Sequence, residues 1–292
     1  MFIWVVGSSG MLGRALVDTL QEKKIPFIAT NKEQANITDR NALESVLLRF
    51  PHITHIINCA AYTAVDLAEV NFKQAHQINV EGVVNLAHLA KKYSKGLLLV
   101  SSDYVFSGDK TDPYTEKDNP FPINAYGLTK WLSEVEAQKI YENVCIVRTS
   151  WLFGPYGKNF VRTMLQLMQE KENISVVSDQ WGRPTYTKDL AQILLQLLPL
   201  KGIFHYASCE KINWFQFAEN ILSVANGMNM SLKAKKIIPI LSKDYPTKAK
   251  RPLYSVLDTN KISQLIPTYQ PRSIEDVLKD YIKEDLWELS AK

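Results

Sequence analysis

What most restricts the folding of this chain is an alternation of two periodicities. Short apolar runs rich in β-branched residues, at 2–6, 26–29, 53–58, 96–101 and 144–149, are separated by longer stretches whose apolar side chains recur every third or fourth residue. After the first run, Leu12, Ala15, Leu16, Thr19 and Leu20 fall on one helical face. The runs are apolar almost throughout, as strands are when both faces of their sheet are covered. Parallel strands need long crossover connections, which the helices predicted at about 66–94 and 125–142 supply. The pattern predicts an α/β protein with a doubly wound parallel sheet and helices on both faces.

Beyond residue 150 the pattern loosens. Helices are predicted at 160–170, 189–198, 214–225 and 273–286, and strands at 174–177 and 203–206. Pro184, Pro239, Pro246, Pro252, Pro267 and Pro271 punctuate this half. With 292 residues, the chain divides into a first domain at 1–150 and a smaller, irregular α/β domain at 151–292. Some segments of the second half are free to return to the first sheet.

Composition excludes several classes of function. Lys and Arg number 34 against 30 Asp and Glu, and 46% of residues are hydrophobic, which is a folding chain and not a disordered one. The densest basic stretch, Lys233, Lys235, Lys236, Lys243, Lys248, Lys250 and Arg251, is interrupted by Ile237, Ile238, Pro239 and Ile240, which argues against a nucleic-acid patch. Cys59, Cys145 and Cys209 form no CxxC pair, so neither a disulfide framework nor a zinc ribbon is offered. His52 and His55 form an HxxH without a nearby third ligand. No apolar run is long enough to span a bilayer, and the opening MFIWVV lacks the basic region of a signal peptide. The expectation is a cytoplasmic protein with no metal and neither membrane nor nucleic acid as partner.

Directly after the first run come Gly7, Gly10 and Gly13, in GxxGxxG spacing, with Met11 and Leu12 opening the following helix. Glycine allows positive φ and close backbone approach, and a helix N-terminus offers free N–H groups to a pyrophosphate. The same glycines would suit a plain tight connection, but their place at the first strand-to-helix turn favours a dinucleotide. At the end of the second strand no acid stands ready for a ribose 2′-hydroxyl. Asn31 and Lys32 occupy its tip, and a lysine suits a 2′-phosphate, so NADPH is favoured over NADH.

Tyr126 and Lys130 are four residues apart at the start of a predicted helix and so share a face. A free phenol is a poor proton source at neutrality, and a neighbouring ammonium favours the phenolate and lowers its pKa. Alone, such a pair is commonly a surface coincidence. Upstream, however, the fourth run ends in Ser101 and Ser102, which delivers hydroxyls to the carboxyl end of the sheet, where open α/β folds bind ligands.

A glycine turn, a strand-end hydroxyl and a YxxxK in this order resemble the extended short-chain dehydrogenase/reductase superfamily. Within it the chain resembles the dTDP-4-dehydrorhamnose reductase family, nearly end to end. The closer resemblance rests on CAAYTAVD at 59–66, SSDYVF at 101–106, YGLTK at 126–130, RTSW at 148–151, DQWGRPT at 179–185 and RPLYS at 251–255.

The resemblance implies a Rossmann-type cofactor domain at 1–150 and a second domain that mainly binds a sugar nucleotide. It implies NADPH-dependent reduction of the C4 keto group of dTDP-4-dehydro-L-rhamnose to dTDP-L-rhamnose. Tyr126 would give the proton to the C4 oxygen, and Lys130 would lower the tyrosine pKa and hold the nicotinamide ribose. Ser102, where the family commonly has threonine, would hydrogen-bond the carbonyl. Ala60, Ala61 and Thr63 would lie along the cofactor and Asn36 and Ile37 near the adenine, while Asn79 would be structural or part of a proton relay. Asp103, Tyr104 and Trp151 would face the sugar, and Asn159, Gln180, Arg183 and Arg251 the nucleotide and diphosphate. Some relatives are dimers bridged by Mg²⁺ through an acid just after the third glycine. Arg14 and Ala15 stand there in this chain, so no metal is expected at that position, and both monomer and homodimer stay open.

Other functions on this fold remain as alternatives. They are another sugar-nucleotide reductase, an epimerase or dehydratase, or a non-catalytic NADP-binding subunit like that of methionine adenosyltransferase. A dehydratase needs a paired Asp-Glu where this chain has Asp103 and Tyr104, which disfavours that reading.

Overall fold

Ile3, Trp4, Val5 and Val6 are all buried, so the first apolar run is covered on both faces, as its composition requires. The structure, a computed structural model, describes residues 1–266 and 269–290; Pro267, one of the punctuating prolines, lies outside them. The first half contains β1 (Ile3–Val6), α1 (Met11–Glu22), β2 (Phe27–Thr30), α2 (Arg40–Arg49) and β3 (His55–Asn58). It continues through α3 (Val65–Ala68), α4 (Phe72–His76), α5 (Gly82–Lys92), β4 (Gly96–Ser102), α6 (Ala125–Ile140) and β5 (Val144–Thr149). The second half contains β6 (Leu152–Phe153), α7 (Phe160–Glu170), β7 (Asn173–Val177), β8 (Trp181–Gly182), β9 (Thr185–Tyr186) and α8 (Thr187–Leu197). Then follow β10 (Gly202–His205), β11 (Ile212–Asn213), α9 (Trp214–Gly227), β12 (Lys236–Ile240), α10 (Asn260–Leu265) and α11 (Ile274–Ser290).

Six parallel strands form the main sheet in the order β10-β5-β4-β3-β1-β2. The order reverses between β1 and β3, and it is at such a point, beyond the carboxyl ends of the strands, that doubly wound sheets open a crevice. Strand side chains alternate between two cores. Ile3 and Val5 join α1, α8 and α10 on one face, and Trp4 and Val6 join α2 and α5 on the other. A third core, built on Phe153, Met168, Phe217, Ile221 and Val277, holds α7, α9 and α11 to the two-stranded β7 and β12 sheet. The strand expected at 203–206 is β10, which pairs with β5 in the main sheet, so elements from both sides of residue 150 build it.

Two expectations need correction. The single helix foreseen at about 66–94 is broken into α3, α4, a π-helical turn at Gln77–Glu81, and α5. The wider turn brings Asn79 to the segment after β3, where its side chain bonds the Tyr62 backbone at both ends. Second, Ile237, Pro239 and Ile240 are not merely a break in a basic stretch. They form β12, paired in parallel with β7, and a proline is tolerated there because a two-stranded sheet has only edge strands.

Behind α6 lies a buried ionic cluster. Arg148 on β5 donates from Nη2 to Glu134 at 2.6 Å and from Nε at 3.0 Å, and its guanidinium sits 5.1 Å over the Phe106 ring. Nη1 lies 3.3 Å from His205 Nε2, while His205 Nδ1 lies 2.9 Å from the Tyr114 carbonyl oxygen. An arginine only donates, so His205 accepts at Nε2 and gives its Nδ1 proton to Tyr114. Burial, with Arg148 beside it, pushes His205 down to about 3, which keeps it neutral. Among the described residues no helix is long and apolar enough to cross a membrane, and no group of three or more His, Cys, Asp or Glu is arranged to hold a metal.

Candidate active site

The turn from β1 into α1 needs two of its glycines for steric reasons. Gly7 has φ +80°, and a Cβ on it would lie 2.5 Å from Ala60 N. A Cβ on Gly13 would lie 2.3 Å from the Gly7 carbonyl oxygen, so α1 can close on the turn only without one. Gly10, the N-cap, provides no side-chain cap and the first turn carries no acid, which leaves its N–H groups for an anion.

A cavity of about 310 Å³ adjoins this turn, and Gly7, Gly10, Asn31, Lys32, Asn36, Ile37, Ala60 and Ala61 line it. Met11 and Leu12 run on into α1, where Leu12 is core, and Thr63 is exposed outside this lining. Asn31 and Gln34 cap one another's backbone, with Asn31 Oδ1 accepting from Gln34 N at 3.0 Å. Asn36 Oδ1 accepts from Thr38 N at 3.1 Å, so both asparagines shape the loop from which exposed Lys32 projects. A dinucleotide fits this cradle: the bare backbone and uncapped helix end suit a pyrophosphate, and a lysine suits a 2′-phosphate.

Ser102 ends β4 opposite Thr149 of β5, and α6 brings up Tyr126 and Lys130 from its first two turns. Asn124 caps α6, accepting from Gly127 N at 2.7 Å, and donates to the Lys250 carbonyl oxygen at 2.8 Å. The Ser102 hydroxyl is near enough to the Tyr126 phenol to pull its pKa down, but burial is the larger effect and pushes the phenol up to about 12. The Lys130 ammonium donates to the Val100 carbonyl oxygen at 2.7 Å, and burial pushes it down to about 8. Asn79 spends its amide protons on Tyr62 O at 3.1 Å and Thr129 Oγ1 at 2.9 Å, which ties α6 to the segment after β3 and leaves no proton for a relay.

Gly127 was not foreseen as a site residue, although glycine in a first helical turn is the signal that marks close approach. A Cβ there would lie 2.0 Å from the Tyr104 carbonyl oxygen, so α6 reaches the end of β4 only because position 127 is bare. Gly127→Ala is expected to cost about 1–3 kcal/mol of stability, the usual range for overpacking, and to lower kcat more than tenfold by separating Tyr126 from Ser102. Thermal unfolding and steady-state kinetics on one preparation check both effects, and an unchanged kcat would refute the positional account.

A larger cavity, about 1270 Å³, is lined by Tyr104, Gln180 and Arg251, three of the residues expected at the sugar nucleotide. The Tyr104 ring meets that of Tyr126 edge-on at 6.1 Å, which joins this cavity to the first turn of α6. Arg251 forks onto Asp66, at 2.9 Å and 2.6 Å, and holds that carboxylate down to about 2. Gln180 Nε2 donates to Ser242 Oγ at 2.9 Å. The other candidates serve the protein's own packing. Arg183 donates to the Cys209 and Leu257 carbonyls and to Thr259, and Asn159 caps α7 while donating to the Gly154 carbonyl. Asp103 is 2% exposed and does not line this cavity.

Trp151 has φ +49°, a left-handed backbone uncommon for a large side chain. Its indole stacks on Trp214 at 3.5 Å and 8°, and a Cβ on Gly182 would come within 2.4 Å of it. Trp214 is the tryptophan that lines the cavity, together with Phe160, Lys243, Lys248 and Lys250. Sequence reading missed these because the lysines are spread over a loop and the aromatics read as ordinary helix-face core.

The family model described as RmlD substrate binding domain matches residues 1–286. The chain is 36% identical to the dTDP-4-dehydrorhamnose reductase of Aggregatibacter actinomycetemcomitans over 94% of its length and 96% of the relative's. It is 34% identical to the spore coat polysaccharide biosynthesis protein SpsK of Bacillus subtilis, with 97% of each chain covered. The crystal structure of the Bacillus anthracis dTDP-4-dehydrorhamnose reductase in complex with NADP superposes with a TM-score of 0.90 at 36% identity, over 97% of this chain and 99% of that one. With a family model matched over nearly the whole chain and relatives at this identity and coverage, the chain belongs to the dTDP-4-dehydrorhamnose reductase family of the extended short-chain dehydrogenase/reductase superfamily.

Proposed function

We propose that the protein is an NADPH-dependent reductase that converts the C4 carbonyl of dTDP-4-dehydro-L-rhamnose to the alcohol of dTDP-L-rhamnose. The observation that carries this reading is the placement of the Tyr126 phenol beside Ser102 at the carboxyl end of β4, joined through Tyr104 to a large cavity bearing lysines. The named activity of relatives at 36% identity over nearly the full chain supports it. In this reading residues 1–150 hold the cofactor and 151–292 mainly the sugar nucleotide, with α8 and β10 returning to the first part. The setting is cytoplasmic.

Bound at the Gly7 to Gly13 turn, NADPH supplies a hydride. Gly7, Gly10 and the first turn of α1 hold its pyrophosphate, Lys32 its 2′-phosphate, and Asn36, Ile37, Ala60 and Ala61 wall the adenosine side. Tyr126 gives its phenolic proton to the C4 oxygen, and Ser102 hydrogen-bonds the same atom as negative charge develops there. Lys130, one turn beyond Tyr126 and bonded to Val100, is the nearby cation that stabilises the phenolate left behind. Lys243, Lys248 and Lys250 draw the diphosphate into the cavity, and Arg251 orients it.

The test is consumption of NADPH by the purified protein with dTDP-4-dehydro-L-rhamnose generated in situ, followed by identification of the sugar product. Stoichiometric oxidation with a rhamno-configured product is expected. Absence of net oxidation, with interconversion of two sugar nucleotides instead, would mark an epimerase.

A further inference from the structure

Asp103 is an unusual carboxyl. It is 2% exposed, its Oδ1 lies 3.0 Å from Ser102 Oγ, and its Oδ2 accepts from Ser255 Oγ at 2.5 Å. The groups that stabilise its charge are these two hydroxyls and backbone N–H groups of its own turn, and burial outweighs them, which pushes it up to about 7. Ser255 comes from the RPLYS string, whose serine has no part in the reaction as described so far.

The difficulty lies at Ser102. A serine hydroxyl has one proton and two acceptor sites. Tyr104 N donates to Ser102 Oγ at 3.1 Å, and Asp103 Oδ1 lies 3.0 Å from the same atom. When Asp103 is ionised, the single Ser102 proton is drawn to the carboxylate and is lost to a substrate oxygen. When Asp103 is protonated, the carboxyl itself donates to Ser102 Oγ, and the serine proton can turn toward the carbonyl. We infer that Asp103, clamped between Ser102 and Ser255, is a positioning residue whose protonated form releases the Ser102 hydroxyl to the reacting carbonyl. The inference rests on the reductase reading above and adds Asp103 and Ser255 to its machinery.

The sign of the pH dependence follows. Raising the pH ionises Asp103, captures the Ser102 proton and lowers kcat. The other titratable groups that interact with the carboxyl are Tyr104 on its own turn and Tyr126 on α6, and Arg251 and Asp66 act in turn on Tyr104. Lys130, one turn beyond Tyr126 on α6, is held near the same range, at about 8, and its alkaline limb lies above that of Asp103.

The experiment is the pH profile of kcat for the whole enzyme at saturating NADPH and keto sugar. Wild type is expected to show a limb near neutrality, falling tenfold per pH unit beyond it. Asp103→Asn, whose amide donates to Ser102 at every pH, is expected to turn over more slowly yet lose this limb and keep only the higher one of Lys130. Ser255→Ala removes a bond that favours the carboxylate, so it should move the limb to higher pH. A limb unchanged in Asp103→Asn, or moved down in Ser255→Ala, overturns the inference. Infrared difference spectroscopy of the cofactor-free protein needs no turnover. A carboxylic acid band that titrates near neutrality and is missing from Asp103→Asn supports the inference, and no such band in wild type overturns it. If wild type fails to oxidise NADPH at all, the reductase reading falls, while the infrared result still decides the state of Asp103.

Discussion

Tyr126→Phe is expected to lower kcat by about 10²–10⁴-fold, the usual contribution of a positioned proton donor, while NADPH affinity stays within about twofold. The substitution keeps the ring, so the edge-on contact with Tyr104 and the fit of α6 against β4 persist. What disappears is the phenolic hydroxyl beside Ser102. The proposed NADPH cradle is the β1 to α1 turn and the 310 Å³ cavity, whose lining does not include Tyr126. Single-turnover kinetics with fluorescence titration of NADPH separate the two quantities. A loss of less than about tenfold would mean that another group delivers the proton.

Arg148→Met is expected to destabilise the fold by about 3–5 kcal/mol, because it strands Glu134 as an unpaired buried charge. Arg148 and Glu134 are 1% and 2% exposed, and His205, the other partner of the guanidinium, is held neutral and offers no replacement charge. Removing both charges should be far milder, so Glu134→Met with Arg148→Met is expected to recover most of the loss. Urea unfolding of the two single variants and the double variant measures this directly. A single-variant loss below about 1 kcal/mol would show that water reaches the cluster. The cluster also matters for catalysis, since Glu134 lies one helical turn beyond Lys130 and ties α6 to β5 and, through His205, to β10.

The parts of this protein that were legible in its sequence are those governed by local rules. Continuous apolar strands, amphipathic helix faces and a glycine turn are each set by residues within one or two turns of one another, and the strand-and-helix alternation admits few topologies. Tyr126 and Lys130 were readable for the same reason, being neighbours on a helix. The break of the 66–94 helix was not, because it depends on Asn79 reaching Tyr62 and Thr129. Nor was β12, whose Pro239 argues against a strand until β7 is seen as its only neighbour.

For the site, the chain's motifs pointed to Ser102, Tyr126 and Lys130 and to the glycines around the proposed cofactor cradle, and the family resemblance those motifs carry implied the kind of reaction they would serve. Long-range packing settled how those groups are biased. Ser255 reaches Asp103 across 152 positions, Asp66 claims Arg251 across 185, and Lys130 donates to a strand carbonyl. These outcomes depend on burial and on which donor meets which acceptor. Both arise only when distant segments are brought together, since the energy of a polar group depends on the water it loses and the partner it gains.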